Sequence, residues 1–304
     1  MEFGKVPTNL LGKIDLRLAP PDPRTDERLK AKGRSPRPRV GVGCPLWGVK
    51  DWVGMIYPRG TKPADYLYHY SRQVTSIELN TTHYRVPDPA TVVAWRDQTP
   101  DDFRFCPKWP QEISHRWPLG INRERVRAFV SNMMLLESRL GLTFLQLPPT
   151  FSPRDVPELE RFLKSLPKGF PVAVEVRHHG FFENQKLVPA YYDLLARLGA
   201  HVVITDVAGR RDVLHTSLTS TRCLVRFIGN DAPEFDHPRI DAWVNRINDW
   251  LTLGLEQIEF FAHQPRDAAM PDLVKYVVTR LNQKCGLSLR LWQPMTQGEQ
   301  LGLF

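Results

Sequence analysis

Eight short β-rich apolar runs alternate with amphipathic segments from residue 39 onward, and this alternation limits the possible folds more than any other feature. Short apolar runs between turn signals are typical of buried strands. The runs are RVGVGC (39–44), TSIELN (75–80), FRFCPK (103–108), LTFLQLPP (142–149), PVAVEV (171–176), AHVVIT (200–205), RCLVRF (222–227) and QIEFFA (257–262).

The segments between the runs repeat apolar residues at intervals of three and four, which predicts helices. They span 61–73, 88–98, 122–140, 184–199, 239–254 and 270–286, and a shorter polar segment follows the sixth run at 208–217. Eight strand–helix units over roughly 250 residues predict a single (β/α)₈ TIM-type barrel, here residues 39–304. An open doubly wound sheet would have fewer units and a Gly-rich phosphate turn, which GVGCPLWG does not supply.

Residues 1–38 precede the barrel as an N-terminal extension that is basic and rich in proline. Residues 1–39 hold ten Lys and Arg against five Asp and Glu, a net charge of +5 of the +8 in the whole chain. This composition predicts a flexible or loosely docked arm. The arm is interpreted as a solvated tail, with phosphate contacts to nucleic acid as the alternative.

The chain has no run of 18 apolar residues, so no membrane span is predicted. Its first residues lack the apolar core and cleavage site of a secretory signal. The four cysteines are far apart in the sequence, which indicates free thiols and a cytoplasmic location. The sequence gives no indication of the oligomeric state.

The fifth run becomes charged at its end, in the stretch AVEVRHHGFF (173–182). Side chains alternate along a strand, so Glu175 and Arg177 lie opposite a face of three valines. That valine face suits the outer helices, and we therefore expect the charged pair to point into the barrel. The same parity makes the following residues inward candidates: Glu78, Asn80, Arg104, Cys106, Lys108, Gln146, Arg226, Glu259 and His263, with Asp206 just past the sixth run.

Most of these side chains fall at strand ends, where barrel enzymes build their sites. The acids at these ends are Glu78, Glu175 and Asp206, and the bases are Lys108, Arg177 and Arg226, with His115, His178 and His263 available to make the bases more numerous. A surplus of cations predicts a small anionic ligand that carries phosphate or carboxylate. The simpler interpretation is a set of structural salt bridges that neutralise one another.

The amino-acid sequence at these strand ends resembles that of the YecE-like barrel family, known as domain of unknown function 72. The resemblance is carried by GVGCPLWGVKDWVGMIYP (41–58), SIELNTTHYRVP (76–87), FCPKWPQEISH (105–115), LQLPPTF (145–151), VEVRHHGFF (174–182) and LVRFIG (224–229). It implies a TIM-type fold and a polar pocket at the strand ends, without an agreed reaction. The family's polar residues fall on Glu78, Asn80, Tyr84, Lys108, His115, Gln146, Glu175, Arg177, His178, Asp206 and Arg226.

One departure from the family occurs at the eighth run. Members commonly end it with an aromatic residue and two asparagines, whereas this chain reads FFAHQP, with His263 and Gln264. Any role of those asparagines is therefore not carried over to this chain.

Three functions are compatible with the sequence. The first is an enzyme for an anionic substrate, with Glu78, Glu175 and His115 as catalytic groups. Its substrate-binding residues are Asn80, Tyr84, Lys108, Gln146, Arg177, His178, Asp206, Arg226 and His263. The second is a metal-dependent phosphodiesterase or nucleic-acid repair hydrolase, with Glu78, Glu175, Asp206 and a histidine on a divalent ion. The third is a non-catalytic binding barrel. The first is preferred, and no cofactor is predicted.

Overall fold

The computed structural model describes residues 4–291 of the 304-residue chain. Every one of the eight predicted runs contains a strand. The strands are β1 (Arg39–Gly43), β2 (Ser76–Leu79), β3 (Arg104–Pro107), β4 (Thr143–Gln146), β5 (Val172–Glu175), β6 (His201–Asp206), β7 (Arg222–Ile228) and β8 (Gln257–His263). A separate short hairpin pairs Phe182–Glu183 with Lys186–Leu187 in antiparallel orientation.

The eight strands form two parallel sheets. Six of them pair in the order β1-β8-β7-β6-β5-β4, and β2 pairs with β3 in a second sheet. Neighbours in space are neighbours in sequence, apart from the β1–β8 pair. The fold is therefore mixed α/β with a mostly parallel central sheet, and no continuous closed sheet is found among the described residues.

Isolated contacts connect the two sheets at both gaps. Between β1 and β2, the Glu78 backbone N–H donates to the Cys44 carbonyl at 3.1 Å. The Tyr70 hydroxyl lies between the same strands, where it accepts from the Cys44 N–H at 2.7 Å and donates to the Ser76 carbonyl at 3.2 Å. Between β3 and the segment that contains β4, isolated bridges pair Phe105 with Leu140 and Lys108 with Phe144. A tyrosine side chain thus replaces part of the regular ladder at the first gap.

Nine α-helices are present among residues 4–291. They are α1 (Pro23–Lys32), α2 (Tyr66–Gln73), α3 (Pro89–Gln98), α4 (Gln111–Ser114), α5 (Arg123–Met134), α6 (Val156–Lys164), α7 (Pro189–Leu198), α8 (Pro233–Leu253) and α9 (Met270–Cys285). None of the helices in this part of the chain is long and apolar enough to cross a membrane.

The helix predictions differ from the structure in three ways. The predicted helix 184–199 is wrong at its start, because Lys186–Leu187 pairs in the short hairpin and the helix begins at Pro189. The segment 208–217 forms only a short 3₁₀ turn at Arg211–Val213, because it is too short and polar to cover the sheet. The helices α1, α4 and α6 were not predicted, although α1 has an evident start signal. Asp22 precedes Pro23, and its carboxylate accepts the Arg24 N–H at 3.1 Å as an N-cap.

The N-terminal extension lies against the second half of the chain. Leu11 and Leu29 are fully buried. The Ser217 hydroxyl donates to the Asp22 carboxylate at 2.5 Å, and the Leu218 N–H donates to the Thr25 hydroxyl at 2.7 Å. These contacts fix the position of α1, where the sequence had predicted a flexible or loosely docked arm. The boundary after residue 38 stays a prediction.

The buried apolar side chains form one large cluster, a smaller inner cluster and a group of three residues, Leu11, Ala208 and Ala232. The large cluster joins the helices to the outer faces of the strands. The smaller cluster takes inward residues from six neighbouring strands or the residues beside them: Cys106, Leu142, Phe144, Ala173, Val203, Leu224 and Phe261. This inner cluster forms an apolar floor two residues before the polar strand ends, for example at Ala173 below Glu175 and at Leu224 below Arg226.

Candidate functional site

The C-terminal strand ends bring eight polar side chains together. We call this group the strand-end cluster: Glu78, Asn80, Lys108, Gln146, Glu175, Arg177, Arg226 and His263. Their positions follow from strand alternation, because most of them share the face of the inner apolar cluster. The parity predicted from the sequence thus places these eight residues in one region of the molecule.

Arg226 forms the centre of the strand-end cluster. Its side chain is fully buried, and its Nε and Nη2 atoms each donate to the Glu78 carboxylate at 2.9 Å. Its Nη1 atom donates to Glu175 at 3.0 Å. The guanidinium lies 5.5 Å from the Phe144 ring centroid of the apolar floor. All three nitrogens of Arg226 donate to carboxylates, so this residue holds Glu78 and Glu175 in position.

Arg177 and Gln146 extend the network toward β4. The Arg177 Nε donates to Glu175 at 2.6 Å, and its Nη2 donates to the Gln146 side-chain carbonyl at 2.9 Å. Both residues keep a small exposed surface, 7% for Arg177 and 6% for Gln146. They therefore form the rim of the cluster, whereas Glu175 lies beneath it.

His263 and Asn80 complete the shell around Glu78. The His263 Nε2 lies 2.9 Å from one Glu78 oxygen, and the Asn80 Nδ2 donates to the other at 2.8 Å. Since an ionised carboxylate only accepts, the His263 Nε2 is the donor. Its Nδ1 makes no hydrogen bond within residues 4–291. Glu78 and His263 thus form a carboxylate–histidine pair with one ring nitrogen available.

Both carboxylates of the cluster are held ionised. Burial alone would raise the pKa of Glu78, but the charge of Arg226 and the hydrogen bonds that His263 and Arg226 donate bring it well below its usual range. The pKa of Glu175 is also lowered, because Arg177 and Arg226 outweigh the effect of its burial. A carboxylate with a lowered pKa is a poor proton acceptor near neutral pH. This environment favours a supporting role for both residues over the predicted proton transfer.

Lys108 differs from the other cations of the cluster. Its Nζ forms no ion pair or hydrogen bond within residues 4–291, and its side chain is 8% exposed. The amine lies 5.9 Å from the Phe144 ring centroid. Burial lowers its pKa to about 8, with a further contribution from the positive charge of Arg226. Lys108 is therefore a buried amine that titrates near physiological pH and has no carboxylate of its own.

A large cavity of about 670 Å³ adjoins the cluster. It is lined by residues that follow β1, β2, β7 and β8, and two cluster members, Asn80 and His263, contribute to its wall. The N-terminal extension forms another part of the wall through residues 4–8. Its volume is that of a small-molecule site.

A second cavity of about 470 Å³ lies beside β2 and β3 and contains two histidines. His115 is one of the predicted catalytic residues, and its Nδ1 lies 2.8 Å from the Ser114 hydroxyl. The sequence analysis missed His83, whose ring lies 5.4 Å from that of His115. Its Nδ1 donates to the Trp109 carbonyl at 2.8 Å. The quoted stretch SIELNTTHYRVP contains His83, so proximity to Glu78 in the sequence was the available signal.

Both histidines of the second cavity are held neutral. Burial lowers the pKa of His83 to about 4, and the charge of Lys108 contributes. The pKa of His115 is lowered by burial and by the charges of Lys108 and Arg177. Tyr84 lines both cavities and is 81% exposed, so it belongs to the outer wall.

Four predicted site residues lie outside the cluster, namely Tyr84 and His115 at the second cavity and also Asp206 and His178. Asp206 accepts hydrogen bonds from Arg211, from Arg239 at 2.7 Å and from Trp243 at 2.7 Å, and it thereby connects β6 to α8. His178 accepts the Gly180 N–H at 3.0 Å and caps a turn. Both residues therefore have a structural role. That of Asp206 depends on partners far away in the sequence, and that of His178 depends on the geometry of its own turn.

Other inward candidates lie at the opposite end of the strands. Glu259 is fully buried and accepts from Arg39 at 3.2 Å and from Gln257 at 2.9 Å. Arg104 begins β3 and donates to backbone carbonyls before it. These residues close the N-terminal ends of the strands and do not contribute to the cavities described above.

The described part of the chain contains no group of three or more His, Cys, Asp or Glu residues placed to hold a metal ion. Glu78, Glu175 and Asp206, the predicted alternative ligands, are each paired with arginine. The site geometry therefore gives no support to a metal centre built from these residues.

The chain is similar to one protein-family model and to proteins from two bacteria. The family model described as "Protein of unknown function DUF72" matches residues 41–297. The UPF0759 protein YecE of Escherichia coli strain K12 is 36% identical over 253 residues, which cover 77% of this chain and 90% of YecE. The UPF0759 protein YunF of Bacillus subtilis strain 168 is 26% identical over 206 residues, or 63% of this chain and 71% of YunF.

Two solved structures share the fold. A DUF72 family protein from Enterococcus faecalis V583 has a TM-score of 0.65 at 18% identity, covering 85% of this chain and 99% of that one. A DUF72 family protein from Thermotoga maritima MSB8 has a TM-score of 0.57 at 23% identity, covering 80% and 96%. At these identities the likeness concerns the fold alone.

Proposed function

The chain belongs to the DUF72 family of proteins of unknown function, and we propose that it is an enzyme whose strand-end cluster binds a small or medium anionic substrate. The substrate carries a phosphate or carboxylate group and enters through the large cavity beside Asn80 and His263. The reaction class is a hydrolase or lyase type that proceeds by proton transfer.

The charge balance of the cluster carries this proposal. Two carboxylates, Glu78 and Glu175, are fully paired by two arginines. Protonated Lys108 then adds a positive charge for which the described residues supply no counter-ion. An unpaired buried cation is costly, so an anion that pairs with it gains a strong interaction. A purely structural salt-bridge layer would have no need of this extra charge.

The acid–base role fits the histidines better than the glutamates. Glu78 accepts from His263 Nε2 and so fixes the tautomer that leaves Nδ1 available as a proton acceptor. The large cavity reaches His263. Glu78 and Glu175 then act as the orienting and neutralising groups of the site. His115 stays a candidate for proton transfer from the second cavity.

The proposal includes the architecture and the compartment. The two parallel sheets follow one another in cyclic order, and backbone contacts at both gaps support an interrupted eight-stranded barrel. Its C-terminal strand ends are the place where such barrels carry their sites. All four cysteines are free thiols, which fits the reducing cytoplasm.

The other two functions predicted from the sequence receive less support. A metal-dependent hydrolase lacks a suitable ligand group within the described residues. Contacts of the N-terminal extension to nucleic acid remain a proposal. They receive less support because several arginines of the extension are paired, for example Arg24 with Asp22. A non-catalytic binding role would share the anion site and differ only in the absence of turnover.

Thermal-shift measurements test the anion proposal. We expect a panel of phosphorylated and carboxylated metabolites to contain compounds that raise the melting temperature, whereas their uncharged counterparts do not. Replacing the cation by Lys108→Met should abolish the shift. Replacing the exposed Lys168 by methionine should leave it unchanged.

The result that contradicts the proposal is equally specific. If no anion stabilises the protein at millimolar concentration, or if Lys108→Met responds like the unsubstituted protein, the cluster is a structural salt-bridge layer. Turnover of a stabilising compound would then separate an enzyme from a binding protein.

A further inference from the structure

We propose that Lys108 is the nucleophile of this site and forms an imine with a carbonyl group of the anionic substrate. The substrate class is thereby narrowed to an aldehyde or ketone that carries a carboxylate or phosphate. This inference rests on the proposed function, because protonated Lys108 attracts the anionic group of the substrate and then gives a proton to a neighbouring base before it attacks the carbonyl.

The position of Lys108 provides the geometric basis. It follows the last residue of β3, and its backbone pairs with Phe144 of β4. The side chain passes over the inner apolar cluster, and its Nζ lies 5.9 Å from the Phe144 ring centroid. Within residues 4–291 no acceptor occupies the amine. A lysine retained for structure would be expected to make an ion pair at this depth, because buried charges are otherwise costly.

The surroundings keep part of the amine neutral. Burial and the nearby charges of Arg226 and Arg177 lower its pKa, while Glu78 and Glu175 act in the opposite direction, and the result is about 8. Near pH 8 about half of the Lys108 side chains are unprotonated, against about 0.4% for a solvent-exposed lysine. Desolvation and an adjacent cation are the two means by which proteins activate a lysine nucleophile.

Two neutral bases accompany the amine. His83 and His115 lie close enough to Lys108 for its charge to lower the pKa of each ring. The Nδ1–H of His83 is used by the Trp109 carbonyl, so its Nε2 is left as a proton acceptor. A lysine with neutral histidines nearby has the groups that imine formation requires.

The covalent step balances without any further reactant. The unprotonated Nζ attacks the carbonyl carbon, a C–N bond forms, and the C=O π electrons move to the oxygen, which takes up a proton. The nitrogen gives one proton to a neighbouring base. Protonation of the resulting hydroxyl lets it leave as water, and the nitrogen lone pair forms the C=N bond of a protonated imine. The net change consumes the amine, the carbonyl compound and one proton, and releases one water.

Reductive trapping with glyoxylate tests the inference. Glyoxylate is a small anionic aldehyde, and cyanoborohydride transfers hydride to the imine carbon and leaves a stable secondary amine. Peptide mapping by mass spectrometry then gives the labelling rate at each lysine. We expect Lys108 to be labelled at least ~10-fold faster than the exposed Lys168 at pH 7.5, with a rate that rises through pH 8.

Two controls separate the amine from the anion site. Lys108→Arg keeps the charge and removes the nucleophile, so it should retain the thermal shift with phosphate and lose the adduct at position 108. The uncharged glycolaldehyde should label Lys108 more slowly than glyoxylate, and added phosphate should slow only the glyoxylate reaction. If the variant does not fold, the peptide map of the unsubstituted protein still gives the comparison with Lys168.

Two outcomes overturn different statements. Phosphate binding without preferential labelling of Lys108 would overturn the imine and leave the proposed anion site intact. Equal labelling by glyoxylate and glycolaldehyde, together with no phosphate binding, would overturn the proposed function even if Lys108 itself is reactive.

Discussion

At the scale of single residues, the site depends on how one arginine is neutralised. Arg226 is fully buried and holds two carboxylates, Glu78 at 2.9 Å and Glu175 at 3.0 Å. A buried pair of this kind contributes little compared with an apolar replacement, but the loss of one partner leaves an uncompensated charge. The cluster is therefore costly to disturb, which suits a site that must hold its geometry.

Glu78→Gln tests this dependence. We expect the free energy of unfolding to fall by about 3–5 kcal/mol, because Arg226 loses its bidentate partner in a fully buried position. Urea denaturation followed by circular dichroism gives the value. The control is Glu183→Gln in the exposed hairpin, which should change stability by less than about 0.5 kcal/mol. Equal effects of the two substitutions would show that Arg226 does not need Glu78.

At the scale of secondary-structure elements, the gap between β1 and β2 is closed by a side chain of α2. The Tyr70 hydroxyl accepts from Cys44 and donates to Ser76, so one group satisfies a donor on one strand and an acceptor on the other. This arrangement explains why the regular ladder stops here while the two strands stay adjacent. Because β2 stays beside β1, Glu78 lies next to the other residues of the strand-end cluster.

Tyr70→Phe removes only the oxygen of this bridge. We expect a loss of about 1–3 kcal/mol in unfolding free energy, since buried polar groups on β1 and β2 lose a partner. Tyr68→Phe is the matched control, because Tyr68 is 44% exposed and its hydroxyl makes no hydrogen bond within the described residues. Faster amide exchange at Cys44 in Tyr70→Phe would locate the effect. An unchanged stability would contradict the bridging role.

The N-terminal extension acts as a structural element in its own right. Leu29 of α1 is fully buried in the large apolar cluster. We expect Leu29→Ala to lower the unfolding free energy by about 2–5 kcal/mol, as for other large-to-small changes in a core. Lys30→Ala on the exposed face of the same helix is the control. If Leu29→Ala is neutral, α1 does not contribute to the stability of the rest of the chain.

At the scale of the whole molecule, three histidines determine the response to acid, of which His83 and His215 are buried and His201 is half-buried. Burial lowers the pKa values of His83, His201 and His215 to about 4 each. Unfolded histidine titrates near 6.5. Between these values the unfolded chain binds more protons than the folded one, so stability falls as the pH falls from about 6.5 toward 4.

This sign gives a measurable pH profile. We expect the unfolding free energy to decrease by about 1–2 kcal/mol per histidine between pH 7 and pH 5, before the carboxylates begin to titrate. Urea denaturation at half-unit pH steps measures the profile. A profile that is flat above pH 5 would mean that these rings are protonated as easily in the folded protein as in the unfolded chain.

The sequence predicted those features that depend on local pattern. Strand alternation was sufficient to bring Glu78, Lys108, Glu175 and Arg226 together, although they are far apart in the chain. It could not show that Asp206 points to Arg239 and Trp243, because that choice depends on how α8 packs against β6.

Features that arise from tertiary packing were also out of reach. The composition of residues 1–39 indicated a flexible or loosely docked arm, and it could not show where α1 docks, because that depends on buried contacts with residues 216–218. The proline and glycine pattern did not indicate that the Tyr70 hydroxyl would bridge Cys44 and Ser76 in place of part of the regular ladder. The role of Lys108 was predicted as anion binding, and only its burial and its lack of a described partner indicate a nucleophile.

A crystal soaked with selenate, an anomalous analogue of sulfate, tests the central claim most directly. We predict an anomalous peak within hydrogen-bond distance of the Lys108 Nζ, and its loss in crystals of Lys108→Met. Selenate peaks confined to surface arginines, with the strand ends vacant at the same concentration, would contradict an anion site in this protein.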